Sequence, residues 1–437
     1  MKSLVAVLFV ALSLLLGVCA QVRAQNPSPS ISAPAPSIAP NADPATATRA
    51  WLDTVPADKR ARSDAYFEGG YWLILWNFLL NATIAILILS SRLSARLRDF
   101  VERRTRFKAL QVALYVIAFL LLNAILSFPL TVYEQFFREH KYGLATQTFG
   151  PWLADQLKIL VFLLIGLSVL FIALYAIFRK APRTWWIWAA TVMVVFQLIV
   201  SYIFPVFIAP AFNSYTPLED PALREPILAL ARANQIPVDK VFVFDASRQT
   251  TRVSANVAGA LGTTRIALND NLIKQCTLPE IRQVMGHEMG HFVLNHGAKL
   301  ATYSAILFLV GFGLTSFVFD ALVRKRGLAW GVRGIGDPAG LPLLALIFMS
   351  FSFILTPVNN TISRVTEAEA DIFGINTSRE PDGMAKVALK LGTYRKLDPA
   401  PMEEFIFFDH PSGRARIRMA MDWKAAHLPA GGAEGDR

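Results

Sequence analysis

The sequence predicts a mostly α-helical integral membrane protein that carries a smaller α+β domain outside the bilayer. Three observations predict it. Apolar residues make up 54% of the 437 and charged residues only 17%, where a soluble domain carries about 25% charged. Beyond the N-terminus, six apolar runs near 70–90, 108–129, 157–178, 185–208, 302–323 and 339–360 are long enough to cross a membrane, since about 20 helical residues span the hydrocarbon. The two long polar stretches, 209–301 and 361–437, mix alternating and helical periodicities.

Taken in order, residues 1–24 read as a signal peptide or an N-terminal anchor. One lysine precedes an apolar run from Leu4 to Ala20, and small residues stand at Val22 and Ala24. Residues 25–66 read as a tether, because their first half is Pro-, Ala- and Ser-rich with almost no large apolar side chains. Residues 67–208 hold the first four membrane runs. Asn77 and Asn81, four apart in the first run, share a helix face. An interhelical hydrogen bond is the simpler reading; a polar chamber between helices is the functional one. Residues 209–437 form the remaining unit, with two membrane runs inside it.

The net charge of +11 is not spread evenly. Loop 91–108 carries Arg92, Arg96, Arg98, Arg103, Arg104, Arg106 and Lys108; loop 179–184 carries Arg179, Lys180 and Arg183; loop 324–338 carries Arg324, Lys325, Arg326 and Arg333. If the six runs alternate, these loops share one side, and the positive-inside rule makes it cytoplasmic. The polar stretches then face outward. This pattern marks a lipid bilayer as the partner, and neither a zinc-finger spacing nor an RNA-binding aromatic motif points to nucleic acid. With two cysteines, Cys19 and Cys276, a disulfide framework or a cysteine metal cage is excluded.

Within 209–301, a helix near 221–235 precedes VFVFDA (241–246), and the runs near 253–258 and 264–270 read as paired strands. A helix over 277–300 opens with Thr277-Leu-Pro-Glu280, a capping box with proline in the first turn. It carries His287-Glu-Met-Gly-His291. Residues four apart lie about 40° from each other around a helix, so both imidazoles can reach one metal. Glu288 is about 100° away, placed for a water rather than for the metal. A catalytic zinc needs a third protein ligand and an open fourth position. Gly286 and Gly290 cost up to ~1 kcal/mol each against alanine in a helix, so close approach of another helix is expected there. A second motif, SRVTEAEAD (363–371), puts Glu367 and Asp371 on one face and Glu369 on the opposite side. That face can offer one ligand and one carboxylate that orients a ligand histidine. A third-ligand histidine in the HExxHxxGxxH pattern is excluded by Leu294, and His296 reads as no ligand.

At these residues the chain resembles the type 1 CAAX prenyl protease family of integral-membrane zinc metallopeptidases. PVFIAPAFNSYTPL (205–218), HEMGH (287–291), EAEAD (367–371) and DHPSGRARI (409–417) carry the resemblance, which extends over about 65–430. It implies a multi-helix transmembrane cage around a chamber, with a zincin-like peptidase domain. It implies one zinc ion per chain held by His287, His291 and Glu367, Glu288 as general base, and Asp371 behind the ligands. It also implies His410 near the scissile carbonyl and Arg416 near the site. Substrates would be peptides or proteins, membrane-associated ones included, paired with a strand near Val253–Ala258; the oligomeric state stays open. One departure is Arg252-Val-Ser-Ala-Asn256, where relatives have a His-x-Asn-Ala-Tyr-like sequence. Together with the outward-facing site this puts prenylated cytosolic substrates in doubt and points to quality control at a bacterial inner membrane. The alternative is a zinc-binding membrane scaffold or transporter without proteolytic turnover, which has no need of Glu288.

Overall fold

The computed structural model describes residues 35–38, 42–259 and 264–428; the segment 1–24 lies outside them. The tether expected over 25–66 gives way to helix at Pro44. Helix α1 (Pro44–Asp53) starts where Asp43 accepts from the backbone N–H groups of Ala45 and Thr46. Its Trp51 and Leu52 are 1% exposed and join a core with Ile417, Ala420 and Met421. The low apolar content of 25–50 masked this short amphipathic turn.

Among the described residues, five helices are long and apolar enough to cross a membrane. They are α2 (Ala57–Ser90); α4 (Lys108–Val132), which runs through a π-helical turn to Lys141; α5 (Phe149–Lys180); α6 (Trp185–Ile203), extended by a π turn to Ile208; and α10 (His296–Trp330). Between α2 and α4 lies α3 (Leu93–Arg104). The sixth expected run, 339–360, is broken. Helix α11 (Leu341–Ile354) and helix α12 (Thr356–Ser378) meet at a 57° bend, where Pro357 stands in the first turn of α12. Proline cannot continue the ladder of α11 but suits a helix start. The bend turns SRVTEAEAD toward the polar domain.

The membrane helices share one apolar core, including Val112, Tyr115, Leu174, Phe178, Trp185, Phe308 and Phe319. At one end of it the basic loops meet. Buried Arg98 donates to Asp337 at 2.6 Å and to the Gly331 carbonyl at 2.8 Å, and Arg333 pairs with Glu102 at 3.1 Å. Asn77 donates to Glu134 at 3.2 Å across to the π turn after α4. The interhelical hydrogen bond is therefore what this asparagine makes.

The polar domain is built on a four-stranded sheet. Strands β1 (Tyr215–Pro217), β2 (Val241–Phe244), β3 (Ala255–Ala258) and β4 (Arg265–Asn269) lie in the order β1-β2-β4-β3. The expected pair is β3 with β4, antiparallel, Ala255 opposite Leu268 and Val257 opposite Ile266. β2 adds in parallel to β4, and β1, not expected from the sequence, closes the other side antiparallel to β2. β3 is left at the edge. Helices α7 (Pro221–Ala233), α8 (Asp270–Gln275) and α9 (Leu278–Val293) surround the sheet, and α9 buries Ile281, Met285 and Met289 with Val257, Ile266 and Leu268. Helices α13 (Pro381–Leu391), α14 (Pro401–Phe407) and α15 (Gly413–His427) complete the chain.

Candidate active site

Helix α9 begins at the expected capping box: the Thr277 N–H donates to the Glu280 carboxylate at 2.6 Å. Buried Lys390 of α13 grips the same carboxylate at 2.7 Å, so the first turn is pinned from two sides. Further along, α9 crosses α12 at backbone contact. A Cβ on Gly286 would lie 2.9 Å from the Gly374 carbonyl oxygen, and one on Gly374 would lie 2.8 Å from the His287 nitrogen. Gly290 faces the Phe373 ring. Gly286 before HEMGH and Gly290 within it thus let α12 approach closely enough for its carboxylates to reach the histidines.

At that crossing His287, His291 and Glu367 each present a ligand atom within 4.8 Å of the others, and all three are buried. The two Nε2 atoms are 3.1 Å apart. The Glu367 Oε2 atom lies 3.2 Å from His287 Nε2, yet makes no hydrogen bond among the described residues. A buried carboxylate oxygen that faces imidazole nitrogens without a well-formed hydrogen bond fits a metal ion that would complete it.

Each partner is held from behind. His287 Nδ1 is 2.8 Å from Asp371 Oδ1, and Arg416 Nε donates to Asp371 Oδ2 at 2.7 Å. Arg416 Nη2 stands 3.6 Å from Glu367. His410 Nε2 is 3.3 Å from Glu367 Oε2, and its Nδ1 is 2.8 Å from Asp409. Glu288 makes no hydrogen bond among the described residues, but its carboxyl senses the charges of His287, Glu367 and Arg416. All seven residues singled out in the sequence therefore gather at one place.

The electrostatics divide the two histidines. Burial pulls His287 down, but the Asp371 and Glu367 carboxylates outweigh it and hold the imidazole up at about 10. Burial dominates at His291 and takes it down to about 3. Burial also pushes Glu288 up to about 8, against the pull of His287. A carboxylate so raised accepts a proton far more readily than an exposed one.

Sequence reasoning missed the partners of His291. Its Nδ1 is 2.8 Å from Nδ1 of His296, which is fully buried, and His296 Nε2 is 3.2 Å from Glu369 Oε2. His296 is not among the convergent ligand atoms, as expected. Asn295 places it, through a left-handed turn (φ 53°) between α9 and α10. Asparagine tolerates that conformation better than most residues, and it is the one local signal that the helix breaks there.

Beside the site opens a cavity of about 960 Å³. Polar side chains of the membrane helices, Gln135, Asp155 and Gln156, line it, as do Asn256 to Ala258 of edge strand β3 and His291 itself. Arg252, at the position of the departure noted above, also lines it and pairs with Glu139.

Two family models match the chain, one after the other. Residues 45–214 match the family model for the CAAX prenyl protease N-terminal region, described as five membrane helices, and residues 217–424 match the model for peptidase family M48. An uncharacterised metalloprotease of Bacillus subtilis is 31% identical over 346 residues, covering 78% of this chain and 80% of the relative. CAAX prenyl protease 1 of Saccharomyces cerevisiae is 29% identical over 318 residues, 69% of this chain and 70% of its own. The crystal structure of S. mikatae Ste24p shares the fold, with a TM-score of 0.72 at 20% identity over 96% of both chains.

Proposed function

This chain belongs to peptidase family M48 and is a membrane-embedded metalloprotease; from that premise we propose that it is a zinc-dependent endopeptidase of a bacterial inner membrane, with its catalytic domain facing outward. The observation that carries the proposal is the buried convergence of His287, His291 and Glu367, whose Oε2 faces the imidazoles without a well-formed hydrogen bond. Two imidazoles and one carboxylate are the donor set of hydrolytic zinc sites, and they leave a fourth position open. Zinc held there would supply Lewis acidity toward a peptide carbonyl and make water acidic enough to ionise near neutral pH.

The chain's own residues supply the rest. Asp371, backed by Arg416, fixes the proton of His287 on Nδ1 and leaves Nε2 free to bind. Glu288 takes the proton of the attacking water and returns it to the leaving amine. His410, anchored by Asp409, donates to the developing oxyanion. An extended substrate segment lies along the unpaired side of β3, where main-chain pairing gives affinity without much sequence demand. The polar cavity holds the remainder of a membrane-associated polypeptide. Arg252, paired with Glu139 at the cavity wall, shapes which side chains fit there.

The orientation rests on the basic ends gathered around Arg98 and Asp337, opposite in sequence order to the catalytic segments. It makes proteins exposed outside the cytoplasmic membrane the natural substrates, in the sense of quality control. Residues 209–301 are then cleavable by an added protease in spheroplasts with intact membranes; protection there with cleavage of loop 91–108 reverses the orientation.

The test of the chemistry is Glu288→Gln. The variant keeps one zinc per chain by elemental analysis and loses about 10²–10⁴-fold in peptide cleavage. Cleavage retained by the metal-loaded variant removes Glu288 from its role. Wild-type activity unaffected by a chelator that strips the metal sinks the zinc mechanism as a whole.

A further inference from the structure

We propose that His296, Glu369 and Lys299 form a positioning relay behind His291, which fixes that imidazole's tautomer and orientation toward the metal and ties it to membrane helix α10. The proposal rests on the reading of His291 as a metal ligand.

The contacts run in one line. His291 Nδ1 is 2.8 Å from His296 Nδ1; His296 Nε2 is 3.2 Å from Glu369 Oε2; Lys299 Nζ donates to both oxygens of Glu369, at 2.7 and 2.6 Å. The protons have one consistent placement. His291 Nε2 faces His287 and Glu367, so it must keep its lone pair to bind a metal, and its proton sits on Nδ1. That N–H donates to His296 Nδ1. His296 then carries its own proton on Nε2 and donates it to Glu369, whose charge Lys299 holds. Every nitrogen of both rings is used, and no alternative placement leaves His291 Nε2 free.

The support of the two histidines is therefore unequal. Behind His287 a carboxylate stands in direct contact, itself gripped by an arginine. Behind His291 the carboxylate stands one imidazole further back. Direct contact with a carboxylate raises a ligand's basicity, and a neutral intermediary transmits less of it. What the relay adds is geometry. His296 is the first residue of α10, Lys299 lies one turn on, and Glu369 comes from α12. Three elements meet on one ring, so a shift of α10 against α12 is transmitted to His291 and hence to the metal. Glu369, on the far side of α12 from Glu367, thus has a task in the same site.

The experiment uses the full-length protein with Glu369→Gln, His296→Ala and His296→Gln, and Glu367→Ala as the reference for lost metal. Zinc affinity is measured by chelator competition, and the cobalt-substituted proteins are compared by their visible d–d absorption. Glu369→Gln should weaken zinc by up to about tenfold and His296→Ala by about 10–100-fold, each with a shifted cobalt band. His296→Gln, whose side-chain oxygen can accept from His291, should restore part of the affinity. Melting of the metal-free Glu369→Gln protein should match wild type, because the side chain it replaces is partly exposed; this variant carries the test if His296→Ala does not fold. If Glu369→Gln and the folded His296 variants bind zinc within twofold of wild type with an unchanged cobalt spectrum, while Glu367→Ala loses it, the relay is overturned and the ligand set stands. If Glu367→Ala binds zinc as wild type does, the ligand set itself is wrong.

Discussion

The crossing of α9 and α12 gives the sharpest prediction, because the backbones meet directly there at Gly286 and Gly374. Consider Gly374→Ala. The added Cβ would lie 2.8 Å from the His287 backbone nitrogen and 3.1 Å from its Cα. Backbone atoms cannot swing aside as a side-chain tip does, so the helices must separate. Restoring ordinary contact at 3.4 Å requires about 0.6 Å of separation at this point. Alanine favours the helix by up to ~1 kcal/mol, while overpacking of this kind costs about 1–3 kcal/mol. The net loss of fold stability is therefore small, about 0–2 kcal/mol. The loss at the site is larger. Metal–ligand distances tolerate about 0.2 Å, and Glu367, two turns before residue 374 on α12, moves with that helix. Metal retention during dialysis against a chelator should fall sharply, and kcat/KM on a peptide substrate should drop by about 10²-fold. Gly290→Ala is the milder case: its Cβ meets Phe373 Cβ and Cδ1 at 3.1 Å, so about 0.3 Å of separation restores ordinary contact, half that at Gly374, and its effect should be weaker. A Gly374→Ala protein with full metal content and kcat within twofold of wild type would refute the argument that backbone contact sets the ligand distance.

The metal-free site holds His287 up at about 10, so below that pH a metal must displace its proton; affinity should rise by about tenfold per pH unit toward 10 and fall as pH drops. Calorimetry at pH 7–8 in buffers of differing ionisation enthalpy should report about one proton released per metal; no release would contradict the assignment. Trp51→Ala empties a site where the indole is 1% exposed and should cost about 3–5 kcal/mol. Because α1 docks mainly through this side chain and Leu52, the cost should appear as early proteolysis within 44–53; unchanged protection would show that α1 is held by something else.

What the sequence made legible was what helix geometry makes local. His287 and His291 at i and i+4, like Glu367 and Asp371, must share a face whatever surrounds them, and the structure brings those two faces together. Gly286 and Gly290 announced a close neighbour through their cost in a helix; which neighbour, and that Gly374 answers them, needed the fold. The features that escaped depend on where a helix stops. The role of His296 is one: it lies past Asn295, where a left-handed residue ends α9 and returns the chain on to His291. Pro357 stands where the run 339–360 breaks, but only packing decides that the 57° bend points α12 toward the metal site. In the tether, the Pro-, Ala- and Ser-rich first half drew attention from Asp43 and Pro44, which start a helix, and from Trp51 and Leu52, which bury it. Local spacing therefore locates the chemistry in this chain, and helix ends, which spacing cannot see, decide how the chemistry is held.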